Sequence, residues 1–200
     1  MRVISGTYRS RRLTAPPGTA TRPTSDRLRE TLFNILAPRI SGAVFADLYA
    51  GSGANGIEAI SRGANYVYFV ETGPPAIEAI RANLKSLDIQ SRFSIERRPV
   101  SAFLRKLDES QFKLDVVFLD PPYDQDEEYA ATLNLLGGGC VAVLDSDSVI
   151  VAEHRRKLAL EDRYGALVRH RVREQGDSAL SFFAAELPIS EFVPQSGGRP

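Results

Sequence analysis

Between residues 44 and 153, five short apolar runs alternate with helix-length stretches, and that alternation leaves few folds open. Residues 44–49, 66–71, 92–96, 114–119 and 149–153 read as strands. Residues 54–62, 75–87, 100–107 and 127–136 read as helices, the last closed by Gly137-Gly138-Gly139. Such alternation builds parallel strands joined by right-handed crossovers, with helices on both faces of the sheet. The expected class is therefore α/β, with a Rossmann-like, mostly parallel sheet. Residues 166–173 and 179–185 flank Gln175-Gly176-Asp177 and predict an antiparallel hairpin at the sheet edge. Ahead of the alternation, Leu28, Leu32, Ile35 and Leu36 share one face of a helix over 25–37, which Pro38 is expected to end. Residues 1–22 read as an arm with a short hairpin around Gly6 and Thr7. The organisation expected is a basic arm and helix over 1–39, a main domain over 40–187 and a Pro-, Ser- and Gly-rich tail over 188–200.

The fourth strand runs into Asp120-Pro121-Pro122-Tyr123. Two prolines cannot continue a sheet, and their fixed φ stiffens the turn. An ionised Asp120 only accepts hydrogen bonds. With the carbonyl of Pro121 it can take both hydrogens of an exocyclic NH2, while Tyr123 stacks on the attached ring. This geometry suits methyl transfer to the amino group of a nucleobase, and assigns the site to Asp120, Pro121, Pro122 and Tyr123.

The first strand runs into Asp47-Leu48-Tyr49-Ala50-Gly51-Ser52-Gly53-Ala54-Asn55-Gly56, which opens a helix. Gly51, Gly53 and Gly56 have the spacing of a dinucleotide fingerprint, and Glu71 stands at the end of the second strand to hold a ribose. The loop alone fits either NAD or S-adenosylmethionine. Asp47 favours the latter, since it can meet the methionine ammonium but would repel a pyrophosphate. The expected cofactor is S-adenosyl-L-methionine, held by Asp47, Tyr49, Gly51, Gly53, Gly56 and Glu71.

The formal net charge of zero conceals an asymmetry. Residues 1–39 hold eight arginines, no lysine and two acids, and the remainder is acidic to the same extent. Guanidinium groups bind phosphate oxygens in pairs of hydrogen bonds, which points to RNA. Arg9, Arg11, Arg12, Arg22, Arg27 and Arg29 are the candidates, with salt bridges to the body as the competing role. No apolar run is long enough for a membrane span and the N-terminus lacks a signal-peptide core, so a cytoplasmic monomer is expected. The lone Cys140 reads as a packing residue. His154 and His170 lack partners at metal-ligand spacing, so no metal is expected.

Several segments together resemble a known family, the bacterial RsmD-type methyltransferases of 16S ribosomal RNA. They are the opening 1–6 with Arg11-Arg12-Leu13, the stretch 22–36, the glycine loop, residues 56–64 and Asp120-Pro121-Pro122-Tyr123. The stretch 22–36 is the specific one. The resemblance implies a class I methyltransferase fold with a seven-stranded sheet, methylation of a guanine N2, and an RNA substrate presented within an assembling small ribosomal subunit. The chain departs from the family at Asn55, where Leu is usual, and at Pro99, in a stretch whose polar residue contacts the adenine. By the motif alone, adenine-N6 methylation of DNA or RNA stays open, as does a non-catalytic RNA-binding assembly factor.

Overall fold

The computed structural model describes residues 1–16, 26–110, 112–122 and 124–186. One sheet of eight strands organises them, in the order β3-β2-β1-β4-β5-β8-β7-β6. Its parallel part is β1 (Val44–Leu48), β2 (Tyr66–Val70), β3 (Phe93–Glu96), β4 (Leu114–Leu119) and β5 (Leu144–Arg155). The antiparallel part is β6 (Arg163–Tyr164), β7 (Leu167–Gln175) and β8 (Ser178–Ala185). This is the class I methyltransferase sheet with the two-residue β6 added as an eighth strand. Helices α1 (Asp26–Ile40), α2 (Ala54–Ser61) and α3 (Pro74–Ser86) contribute to one core, and α4 (Val100–Ser110) and α5 (Glu127–Leu136) to the other.

Successive side chains of each strand serve opposite cores. Phe45, Phe69 and Phe118 belong to the α1–α3 side, while Ala46, Leu48, Val117 and Leu119 belong to the α4–α5 side. Burial on both faces explains why the strands read as continuous apolar runs rather than alternating ones. Two expectations are corrected. Pro38 does not end α1, which continues to Ile40. A proline this near the C-terminus costs one backbone hydrogen bond, and the last turn buries Ile40. Strand β5 starts at Leu144 rather than 149, its first half disguised by the exposed polar residues Asp145, Ser146 and Asp147.

The arm is a narrow hairpin, as expected around Gly6. Val3 N–H donates to the Arg11 carbonyl at 2.9 Å, Ser10 N–H to the Val3 carbonyl at 2.9 Å and Leu13 N–H to the Met1 carbonyl at 3.1 Å. It is docked on α2 by a residue that sequence reasoning left without a role. The fully buried Glu58 carboxylate accepts from Ile4 N–H at 2.7 Å and Ser5 N–H at 3.0 Å. Gly6 passes so close that a Cβ there would lie 1.8 Å from the Ser61 carbonyl oxygen. Val3 and Leu13 complete the α1–α3 core, so the arm and the main domain share one interior.

Candidate active site

A cavity of about 720 Å³ opens at the C-terminal rim of the parallel strands. Such a volume lies in the upper part of the range for small-molecule sites. It sits where the strand order reverses, between β1 and β4, the expected place for a ligand in an open α/β sheet. The glycine loop, Glu71, the turn before α4 and Asp120-Pro121-Pro122 all line it. The two motifs found in sequence therefore share one chamber.

Close packing holds the loop. Gly53 caps α2 in the left-handed region at φ 76°, and a Cβ at Gly56 would lie 2.2 Å from Cε1 of the buried Phe69. Gly56 N–H donates to Asp47 Oδ2 at 2.8 Å. Asp47 is thus a strut under the loop and is not itself a lining residue. Its neighbours on adjacent strands are Phe69 and Phe118. Burial among them pushes its carboxyl up to about 8, against the lowering effect of the Gly56 bond. An acid whose folded value is raised holds its proton in the native state and stabilises it most below its unfolded value, near 3.8. That contribution is lost as pH rises towards about 8. An Asp47→Asn variant should therefore gain melting temperature relative to the parent as pH rises through this window. A constant difference between the two proteins from pH 5 to 8 would contradict it.

Glu71 is held by backbone. Oε2 accepts from Gly51 N–H at 2.9 Å, and Oε1 from Thr72 and Gly73 N–H at 2.8 Å each. Three of about four lone-pair positions are filled, which leaves one for a ligand hydroxyl. Tyr49 carries a positive φ of 61°, rare for a residue with a side chain. Its hydroxyl donates to Glu128 Oε2 at 2.7 Å and lies 2.8 Å from Thr132 Oγ1, tying the loop to α5. Tyr49 lines the cavity with its hydroxyl already engaged by α5.

Asp120 stands one residue beyond β4, half-buried in the cavity wall. Register places Leu119 beside Ala152 of β5 and Leu48 beside Leu119. Asp120 therefore stands level with Glu153 of β5, and it shares a sheet face with Asp47 by the two-residue alternation of strands. Burial raises its carboxyl well above the usual range, and the negative charges of Glu153 and Asp47 raise it further. Asp47 is level with Phe118, two residues before Asp120 on the same face. Of the three acids, Asp120 lines the cavity, and as a carboxylate it favours a cationic or amine ligand. Pro121 is buried, and the Pro122 carbonyl accepts from Gln125 N–H at 2.9 Å, which closes the turn. Tyr123 lies outside the described residues.

The arginines divide. Arg9, Arg11, Arg12 and Arg27 are exposed, although Arg11 Nη2 also donates to the Ser86 carbonyl at 2.9 Å. Arg22 lies outside the described residues. Arg29 departs from the expectation of an outward phosphate contact: it is fully buried and lines the cavity. Packing of α1 on the sheet turns this residue inward, and its Nη2 meets the Arg2 carbonyl and Asp26 Oδ1, both at 2.7 Å. Asn55, where the sequence departs from the RsmD pattern, also lines the cavity, its buried Oδ1 unbonded among the described residues. Pro99 lines the cavity beside Arg98 and Val100. No group of side chains suited to a metal ion occurs among the described residues, and no helix there is long and apolar enough to cross a membrane.

Residues 1–184 match the family described as Conserved hypothetical protein 95. The Bacillus subtilis protein YlbH, whose name marks it as a candidate rRNA methyltransferase, is 37% identical over 183 residues, 92% of this chain and 98% of that one. The ribosomal RNA small subunit methyltransferase D of Haemophilus influenzae is 39% identical over 123 residues, 62% of this chain and 64% of that protein. The solved structure of Escherichia coli YhhF, described as a candidate methyltransferase, has a TM-score of 0.79 at 30% identity, covering 94% of this chain and 99% of that one.

Proposed function

The chain belongs to the Conserved hypothetical protein 95 family, the RsmD-type methyltransferases, and on that footing we propose that it methylates the exocyclic N2 of a guanine in small-subunit ribosomal RNA. The observation that carries this reading is the placement of Asp120-Pro121-Pro122 and the glycine loop around one cavity. The cofactor is S-adenosylmethionine, which when bound supplies an electrophilic methyl on a sulfonium. Asp120 in the cavity wall, with Glu153 level with it on β5, favours such a cation as a carboxylate and disfavours the pyrophosphate of a dinucleotide. Glu71 has one acceptor position left for a ribose hydroxyl. Val70, Pro99 and Val100 offer apolar walls for an adenine. Pro99 has no side-chain donor, but the first N–H groups of α4 have no partner within the helix and can read the adenine edge.

The amino group of guanine is a weak nucleophile because its lone pair is delocalised into the ring. Asp120 and the Pro121 carbonyl accept its two N–H bonds and favour a pyramidal nitrogen. The same acceptors stabilise the positive charge that develops there. The nitrogen gains a methyl and loses one proton, which Asp120 or water collects. The base must first leave its stack, and Tyr123 is assigned to receive it.

The test is labelled methyl transfer to undermodified small subunits and to naked ribosomal RNA, with the product nucleoside identified. N2-methylguanine supports the proposal. N6-methyladenine would replace the substrate, and RNA binding without transfer would favour an assembly factor. The exposed arginines of the arm supply a further expected result. Reversing Arg9, Arg11 and Arg12 to Glu should weaken RNA binding and lower its salt dependence, by a slope of about 1 for each phosphate no longer neutralised. An unchanged slope would remove the arm from the RNA interface.

A further inference from the structure

Arg29 brings two buried, unbonded donors to the wall of the cavity. Its side chain is fully buried, and Nε and Nη1 have no hydrogen-bond partner among the described residues. An arginine is not deprotonated in proteins, so these donors stay charged. Leaving buried charged donors unpaired is costly. The arrangement is therefore best explained by an anionic ligand that completes it. Two anions could in principle approach, an RNA phosphate or a carboxylate of a small molecule held inside the cavity. Full burial argues against the first, because a phosphodiester within a polynucleotide needs an accessible cation.

We propose that Arg29 binds the α-carboxylate of the methionine end of S-adenosylmethionine through its unpaired Nε and Nη1 donors. This assignment rests on the cofactor reading above and deepens it. It also gives α1 a role in the cofactor site. Nη2 is already fixed by the Arg2 carbonyl and Asp26 Oδ1, so the guanidinium is held in place before any ligand arrives. Arg29 lines the cavity together with Ala50, Gly51 and Asn55 of the glycine loop. The Oδ1 of Asn55, unbonded among the described residues, is an acceptor of the kind an ammonium needs.

The experiment compares two ligands by calorimetry on the full chain. One is S-adenosylhomocysteine. The other is its decarboxylated analogue, 5′-deoxy-5′-(3-aminopropylthio)adenosine, which keeps the amine and lacks only the carboxylate. The parent protein should bind S-adenosylhomocysteine roughly 10- to 100-fold more tightly, the worth of charge-assisted hydrogen bonds. Arg29→Gln should abolish most of that preference while binding the analogue within about twofold of the parent, since the bonds removed serve the carboxylate alone. Equal affinity of the parent for both ligands would overturn the assignment while leaving the cofactor reading intact. Equal loss of both ligands in Arg29→Gln would overturn it too, marking Arg29 as a structural counter-charge for the acids around it. Failure of the parent to bind S-adenosylhomocysteine at all would instead remove the cofactor reading on which the assignment rests.

Discussion

Replacing Asp120 with alanine lowers methyl transfer by at least about 10²-fold, with S-adenosylhomocysteine affinity little changed. The scale follows from losing one preorganised hydrogen-bonding group at the atom where charge develops. The substitution leaves the glycine loop, Glu71 and Arg29 in place, so cofactor binding survives and the loss is confined to turnover. A variant with full turnover would refute the role. The pH profile carries a second signature. Asp120 accepts most strongly from an amine as a carboxylate, and burial with Glu153 and Asp47 nearby raises its pKa in the free protein. Below that raised value the group is a neutral acid and has lost acceptor capacity. The value of kcat/KM should therefore rise with pH as Asp120 ionises. A bound cation favours the carboxylate, so the corresponding limb in kcat should lie at lower pH than in kcat/KM. Coincident limbs would show that the two charges do not interact.

Changing Gly56 to alanine destabilises the protein by about 1–3 kcal/mol, the usual range for overpacking a rigid interior. For a chain of this size that is a fall of roughly 2–12 °C in melting temperature. The added Cβ would meet Phe69 Cε1 at 2.2 Å and Cζ at 2.8 Å. Phe69 cannot swing away, because it is fully buried and its ring packs edge-on to Phe93. The clash instead displaces the first turn of α2 and with it the Gly56 N–H bond to Asp47. Cofactor affinity should fall together with stability. The measurements are thermal melts and titration with S-adenosylhomocysteine. A variant that melts and binds like the parent would mean that the third glycine of the loop is there for another reason.

The strands and helices were legible because burial on both faces leaves an apolar run and glycine or proline punctuates its ends. The glycine loop and Asp120-Pro121-Pro122 were legible for a related reason: each is a contiguous stretch whose chemistry is stated by residue type and spacing. Pro38 misled because a proline in the last helical turn costs little. The first half of β5 escaped because its polar side chains are exposed and its register against β4 breaks there, Leu144 pairing with Leu114 and Val149 with Val116. Glu58 is more instructive. Nothing local distinguishes it from any acid in a helix. Its role exists only because the arm folds back across more than fifty residues to present two N–H groups to it.

The amino-acid order alone determined which segments form strands, where the chain can approach a ligand closely, and that an acid and two prolines end β4. Those are properties of neighbours in the chain. Only the folded packing decided that Asp47, Asp120 and Glu153 share one face of the sheet, since they come from three strands brought side by side by long crossovers. It likewise decided that Arg29 faces inward while Arg27, two residues before it, faces water. A helix repeats every 3.6 residues and has no preferred face until something packs against it. The sheet supplies that surface, and so fixes which arginine belongs to the interior and which to the outside.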